Sequence, residues 1–96
     1  MSESYVYIMA SESGTLYVGS TVDVAWRASQ HRQKEHPKSF TAKYNCTKLV
    51  YYEVCEDLET ARLREYQIKQ WNRKHKEDFI RSQNPQWKDL FSRIGS

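Results

Sequence analysis

The beginning of the chain contains two short runs of β-branched and aromatic residues, a composition typical of β-strands. The runs are residues 5–10 and 15–19. Between them lies the segment Ser11-Glu12-Ser13-Gly14, whose residues favour turns, and Gly14 can adopt a positive φ. This pattern predicts a β-hairpin, around which the remaining elements are interpreted.

Side-chain alternation sorts the predicted hairpin into two faces. If the aliphatic side chains of both strands point into the core, Tyr7, Tyr17 and Gly19 share the other face. Paired residues must then have numbers with an even sum, and a sum of 24 places Tyr7 opposite Tyr17 and Ala10 opposite Gly14. Gly19 leaves room beside the phenols. A routine cross-strand aromatic pair is the competing explanation of this pattern.

Caps and hydrophobic spacing predict the elements that follow the hairpin. Asp23 caps a first helix that Pro37 closes, and Asp57 caps a later one. The predicted elements are a helix over residues 24–35, a loop over 37–47, a strand over 48–54, and helices over 58–71, 73–82 and 86–94. The order β-β-α-β-α-α-α predicts a small α/β (α+β) sandwich, and 96 residues predict a single domain.

Charge is unevenly distributed, although the formal net charge is only +3. Residues 21–50 carry six bases and two acids, residues 51–60 carry four acids, and residues 61–81 carry seven bases and three acids. Two positive blocks are compatible with a bound polyanion, although solvated helix faces often have the same composition. The longest apolar run is too short to span a membrane, and two cysteines are too few for a disulfide scaffold, so a cytoplasmic protein is expected.

The first predicted helix carries Arg27 and His31, four residues apart and therefore on one face. A guanidinium and an imidazole there can bind a phosphate and transfer a proton. The alternative is a solvated polar face. His31 and His36 lack the spacing of common zinc ligands, so no zinc site is predicted.

A second predicted helix places a carboxylate within an apolar stripe. The stripe consists of Leu58, Ala61, Glu65, Ile68 and Asn72. Burial of an unpaired Glu65 is expensive, so it needs a base, a cluster of donors or a metal ion as its partner. The alternative is an exposed i,i+4 ion pair with Lys69.

Taken together, these residues resemble the GIY-YIG nuclease family, in particular its small stand-alone bacterial members. The resemblance covers about residues 4–92 and consists of Tyr5-Val6-Tyr7, Tyr17-Val18-Gly19, Arg27, His31, Glu65, Ala42-Lys43-Tyr44 and Asn84-Pro85-Gln86-Trp87. The chain departs from the family pattern at Tyr5, which replaces a glycine, and at Val6 and Val18, which replace isoleucines. Ser20 stands where some relatives have a lysine.

The resemblance implies a three-stranded antiparallel sheet flanked by helices and the hydrolysis of a phosphodiester bond. Glu65 would hold one Mg²⁺ or Mn²⁺ ion, and Arg27 would neutralise charge on the phosphate. Tyr7 or Tyr17, with His31 nearby, would orient or deprotonate the attacking water. Further nucleic-acid contacts are expected from Lys43, Tyr44, Lys69 and Asn84.

The sequence therefore predicts a metal-dependent DNA endonuclease that acts on branched, damaged or recombining structures. A separate protein partner is expected to supply targeting. Two alternatives stay open at this point, a catalytically idle nucleic-acid-binding module on the same fold and a protein-interaction domain.

Overall fold

The structure is a computed structural model that describes residues 3–34 and 38–94. Its elements in chain order are β1 (Ser4–Ala10), β2 (Leu16–Thr21), α1 (Val24–Gln33), α2 (Phe40–Lys43), β3 (Lys48–Cys55), α3 (Leu58–Lys69), α4 (Arg73–Gln83) and α5 (Phe91–Ile94). The strands form one antiparallel sheet in the order β2-β1-β3. The predicted α+β fold with a three-stranded antiparallel sheet is confirmed. Within the described ranges no helix is long and apolar enough to cross a membrane.

Strand β1 lies in the centre of the sheet and is buried on both faces. Its alternate side chains Val6, Ile8 and Ala10 pack with residues of α3 and α4, such as Ala61 and Ile80. On the other face, Tyr7 and Met9 pack against α1 and the start of β3, where they contact Val24, Ala28 and Leu49. The helices therefore cover the sheet from both sides, and each side has its own apolar cluster.

The register of the hairpin differs from the predicted one by two residues. Tyr7 lies opposite Gly19 and Met9 lies opposite Tyr17, so the predicted pairing of Tyr7 with Tyr17 is wrong. Ala10 lies opposite Leu16 rather than Gly14, because residues 11–15 all belong to the turn. Because the shift is even, the predicted faces are unchanged, and Tyr7, Tyr17 and Gly19 still share one face.

Ser11 determines the length of that turn. Its backbone N–H donates to the Thr15 carbonyl at 2.9 Å, and its hydroxyl accepts from the Thr15 backbone N–H at 2.9 Å. Gly14 has φ 96°, the left-handed conformation that its predicted turn position requires. These bonds hold two residues more in the turn than the strand pattern indicates.

Side-chain caps begin the helices at the predicted positions. The Asp23 carboxylate accepts from the Trp26 backbone N–H at 3.0 Å, and the Asp57 carboxylate accepts from that of Thr60 at 2.8 Å. Helix α1 ends earlier than predicted, at Gln33, because Lys34 adopts a left-handed conformation with φ 54°. The predicted closure at Pro37 lies outside the described residues.

Two predicted boundaries between helix and loop are wrong. The segment 37–47, predicted as a loop, contains α2, whose first turn is capped by the Ser39 hydroxyl. The closing helix predicted over 86–94 is reduced to Phe91–Ile94, because Trp87 has φ 52°.

Asn72, predicted to lie on the stripe of α3, instead accepts from the His75 backbone N–H at 2.8 Å and caps α4.

We predict that Gly19→Ala destabilises the protein by about 1–3 kcal/mol, the usual cost of overpacking. A Cβ at position 19 would lie 2.5 Å from Tyr7 Oη and 3.0 Å from Tyr17 Cε2. Tyr7 is fully buried, so its ring has no free space into which to move. Urea unfolding of the variant and of the native chain measures the loss.

A double-mutant cycle tests whether the Tyr7 ring causes this loss. In a Tyr7→Leu background, Gly19→Ala should cost less than in the native background, because the clashing ring is absent. Equal costs in the two backgrounds would contradict the steric explanation.

Candidate active site

The phenol of Tyr7 ends beside the imidazole of His31. Tyr7 Oη and His31 Nε2 are 3.0 Å apart, and both residues are buried. The β1 strand supplies the phenol, whereas the imidazole comes from the last turn of α1. Burial, reinforced by the neighbouring Tyr17 phenol, raises the pKa of Tyr7 well above its usual value. The Tyr7 hydroxyl therefore keeps its proton at neutral pH and can both donate and accept a hydrogen bond.

A second partner holds the other side of the imidazole. His31 Nδ1 lies 2.7 Å from the Thr41 hydroxyl, which is 2% exposed. The Thr41 hydroxyl in turn lies 3.3 Å from that of Ser39. His31 thus bridges Tyr7 and Thr41, and its ring orientation is set from both ends.

Arg27 lies one helical turn before His31 and is half-buried. Its guanidinium donates to Gln30 Oε1 at 2.7 Å, and Gln30 is only 7% exposed. A buried amide on the same helix therefore limits the positions that the charged group can take.

The residues of this helix line a pocket with a volume of about 120 Å³. The lining residues are Tyr17, Arg27, Gln30, His31, Ser39, Phe40 and Thr41. The rings of Tyr17 and His31 are 5.4 Å apart between centroids, and those of Tyr17 and Tyr7 are 6.2 Å apart. The structure thus brings together four of the predicted site residues, Tyr7, Tyr17, Arg27 and His31.

Glu65 lies on the other face of the sheet, on α3. Its Oε1 accepts from the Ser20 hydroxyl at 2.5 Å, and its Oε2 lies 2.5 Å from Lys69 Nζ. The neighbouring stripe residues Ala61 and Ile68 are fully buried, whereas the Glu65 side chain is 19% exposed. The ion pair with Lys69, one of the alternatives left open by the sequence, is therefore present, and the Ser20 hydroxyl is an additional partner that the sequence did not indicate.

The two halves of the site meet at consecutive residues of β2 that face opposite sides of the sheet. Gly19 lies beneath the Tyr7 phenol, and Ser20, next in the chain, points to the opposite face and binds Glu65. Strand β2 is at an edge of the sheet. The pocket and Glu65 therefore lie on opposite faces of one edge strand.

The donor set near Glu65 accommodates a hard divalent ion only in part. Among residues 3–34 and 38–94, no three His, Cys, Asp or Glu side chains are grouped so as to hold a metal. Mg²⁺, however, is commonly bound by one or two carboxylates, several waters and substrate phosphates. Glu65 fits such an ion if a phosphate supplies further oxygens and Lys69 moves from the carboxylate.

The four residues predicted to bind nucleic acid lie in different surroundings. Lys43 and Tyr44 are exposed at the end of α2, and Lys69 pairs with Glu65. Asn84 is 6% exposed, and its amide donates to the carbonyls of Val50 at 3.0 Å and Lys88 at 2.8 Å. The structure does not bring Asn84 to the pocket and gives its side chain a role in holding the turn after α4.

Sequence reasoning missed Gln30, Thr41 and Phe40. No periodicity marks Phe40 and Thr41, because α2 has only four residues. The available signal is Ser39, a good N-cap residue directly before them. Gln30 lies three residues after Arg27 and one before His31, so helical spacing places it within reach of Arg27.

Comparison with known proteins identifies the family of this chain. Residues 3–78 match the GIY-YIG catalytic domain family. A UPF0213 protein of Syntrophus aciditrophicus is 36% identical over 86 residues, which cover 90% of this chain and 98% of the relative. A UPF0213 protein of Yersinia pestis is 37% identical over 82 residues, which cover 83% of this chain and 85% of the relative.

The same relationship is found among solved structures. The solution NMR structure of a UPF0213 protein from Bacillus halodurans matches with a TM-score of 0.58 and 26% identity, over 92% of this chain and 93% of the other. The resemblance seen in the sequence is thereby confirmed. The chain belongs to the GIY-YIG catalytic domain family, within its UPF0213 group.

Proposed function

We propose that this protein is an endonuclease that uses Mg²⁺ or Mn²⁺ to hydrolyse phosphodiester bonds in branched, damaged or recombining DNA. The GIY-YIG catalytic domain family supports a nuclease-type activity. The observation that carries the proposal is the 3.0 Å contact between Tyr7 Oη and His31 Nε2, beside a pocket lined by Arg27. We place this activity in the cytoplasm, with a separate protein partner for targeting.

Arg27 binds the phosphate in this proposal. Its guanidinium presents several donors in one plane, which matches phosphate oxygens. Gln30 keeps it at the pocket without neutralising its charge. Charge that grows on the phosphate oxygens during attack is therefore stabilised by a group that is already in place.

Tyr7 and His31 together receive the proton of the attacking water. In this proposal His31 carries its proton on Nδ1, which donates to the Thr41 hydroxyl, so the unprotonated Nε2 accepts a hydrogen bond from the Tyr7 hydroxyl. Tyr7 is buried and does not line the pocket, so the bound substrate has to open a path for the water to Tyr7 Oη. As the water oxygen forms its bond to phosphorus, the water proton then passes to Tyr7 Oη and the original phenol proton passes to His31 Nε2. The bond from phosphorus to the leaving oxygen breaks, and the phenol remains neutral throughout.

Glu65 would hold the divalent ion in this proposal. The ion would stabilise negative charge on the leaving oxygen. Ser20 keeps the carboxylate oriented, whereas Lys69 occupies its outer oxygen until the substrate arrives.

A catalytically idle nucleic-acid-binding module is the second candidate. The ion pair between Glu65 and Lys69 favours it, because a carboxylate that is already paired with a cation has less affinity for another. Cleavage assays on linear, nicked, flapped and four-way DNA with Mg²⁺ or Mn²⁺ distinguish the two candidates.

Arg27→Ala should lower the cleavage rate by about 10²–10³-fold, because it removes a donor that acts on transition-state charge. DNA affinity should fall much less. Single-turnover cleavage and binding without divalent ions measure the two effects separately. Arg62→Ala is the matched control, since Arg62 is an exposed arginine on α3. Equal losses of binding and cleavage would make Arg27 a simple phosphate anchor.

Tyr7→Phe and His31→Gln should each lower the rate by about 10²–10⁴-fold, the usual contribution of a positioned proton acceptor. Because the two groups act in one relay, the double variant should be little worse than either single variant. Tyr17→Phe should retain more activity, since no proton passes through Tyr17 in this scheme. Additive losses from Tyr7→Phe and His31→Gln would contradict the relay.

Glu65→Gln should abolish metal-dependent cleavage and reduce the stabilisation that Mg²⁺ or Mn²⁺ gives in melting experiments. Glutamine can keep the Ser20 contact and loses only the ion pair with Lys69, so stability without metal should fall by at most about 1 kcal/mol. Glu59→Gln, on the exposed surface of the same helix, is the control. Full activity of Glu65→Gln would remove Glu65 from the mechanism.

A further inference from the structure

A row of aromatic rings leads from the pocket to the surface. The ring centroids of His31 and Tyr17 are 5.4 Å apart, those of Tyr17 and Phe40 are 6.0 Å apart, and those of Phe40 and Tyr44 are 4.7 Å apart. Neighbouring rings in this row are tilted rather than perpendicular, by 32° at Tyr17 and Phe40. We refer to His31, Tyr17, Phe40 and Tyr44 as the aromatic ladder.

The outer end of the aromatic ladder remains largely in water. Phe40 and Tyr44 are each 45% exposed, whereas His31 at the inner end is 7% exposed. An i,i+4 aromatic pair helps to hold a short helix, but that role does not require half of both rings to face solvent. Exposed flat apolar surfaces beside a catalytic pocket are typical of ligand-binding positions.

Helix α2 holds these rings in fixed positions. The Ser39 hydroxyl caps its first turn, and the Cys46 backbone N–H donates to the Thr41 carbonyl at 2.7 Å. Thr41, between the two exposed rings in sequence, is 2% exposed and contacts His31. The helix that presents Phe40 and Tyr44 is therefore anchored to the active site itself.

The chain segment that carries His31, Phe40 and Tyr44 is rich in basic residues, of which Arg32 pairs with Asp89 and Lys48 with Glu12. Residues 24–52 contain a single acidic residue, Glu35. The same stretch contains Arg27, Arg32, Lys34, Lys38, Lys43 and Lys48. The ammonium of Lys43 lies 5.9 Å from the centroid of the Tyr44 ring. Rings and cations together match a ligand that has flat bases and a phosphate backbone.

We propose that Phe40 and Tyr44 stack on unpaired bases, so that the preferred substrate is DNA with a single-stranded segment next to the cleaved bond. This inference rests on the proposed nuclease function and names its substrate class. Bases within a duplex have both faces covered by their neighbours, whereas unpaired bases can stack on protein rings. The aromatic ladder then guides the phosphate beside a stacked base towards Arg27.

Binding of a short single-stranded oligonucleotide tests the proposal without cleavage. An oligonucleotide that contains 2-aminopurine, a fluorescent base whose emission drops on stacking, is titrated in EDTA beside a duplex of the same length. We expect quenching and tighter binding of the single strand. Phe40→Ala and Tyr44→Ala should each weaken this binding by about 5- to 100-fold and reduce the quenching, since one stacked base is lost. Duplex binding should change little.

Two further variants separate stacking from folding and from charge. Phe40→Leu keeps an apolar side chain in the contact with Tyr17 and should still lose quenching. Lys43→Ala should weaken binding mainly through the salt dependence, with quenching retained. Tyr66→Ala, which removes an exposed tyrosine on α3, should leave both measurements unchanged.

Equal affinity for single strand and duplex, or unchanged quenching in Phe40→Ala and Tyr44→Ala, would overturn the proposal. If the protein gave either of these results but still cleaved both single-stranded and duplex DNA, the proposed nuclease function would remain. Stacking without any cleavage would instead support the substrate class and remove the catalytic function.

Discussion

The whole molecule depends on the burial of β1 from both sides. A strand covered on both faces must carry side chains that suit two different interiors, and β1 does so by alternating aliphatic residues with Tyr7 and Met9. A buried phenol needs a hydrogen-bond partner, and His31 provides it. The contact between Tyr7 and His31 helps to position α1 against the sheet. Val24 and Ala28 of the same helix pack on the same face of the sheet as Tyr7. Arg27 then reaches the pocket as a consequence of core packing.

The two halves of the site differ in how firmly they are held. Tyr7, His31 and Thr41 are buried and belong to the core, so their geometry is as rigid as the fold. Glu65 and Lys69 form a partly exposed ion pair, the kind of contact whose strength falls with added salt and which exchanges readily for other ions. In the proposed reaction, the Tyr7–His31 half of the site would therefore be fixed by the fold, whereas the Glu65 half would be adjustable.

Much of this arrangement could be predicted from local patterns. Alternation along the hairpin places Tyr7, Tyr17 and Gly19 on one face, and helical spacing places Arg27 and His31 together. The register could not be predicted from these patterns, since an even shift leaves every side chain on the same face. The bonds of Ser11 decide it, and they depend on the folded turn.

Contacts between segments that are distant in the chain could not be predicted either, because local patterns carry no information about them. Thr41 meets His31 only because the chain returns from α1 through α2, and a helix of four residues has no readable period. Periodicity identified Glu65 as a carboxylate in need of a partner and offered Lys69 on the same helix, but it could not indicate Ser20, which lies on a strand distant in sequence. Asn84 matched a motif, whereas its buried amide serves the backbone of β3 and of the following turn.

Gly19 and Ser20 are consecutive residues of β2 and face opposite sides of the sheet, so the contacts of both depend on the register between β2 and β1. A slip of one residue in the pairing of β2 with β1 would turn Ser20 towards the phenol and Gly19 towards α3. The ring would then meet a side chain where it needs empty space, and the carboxylate would lose its hydroxyl partner in the same event. A misregistered β2 would therefore lose both arrangements at once, so the correct pairing of β2 with β1 is needed on both faces of the sheet.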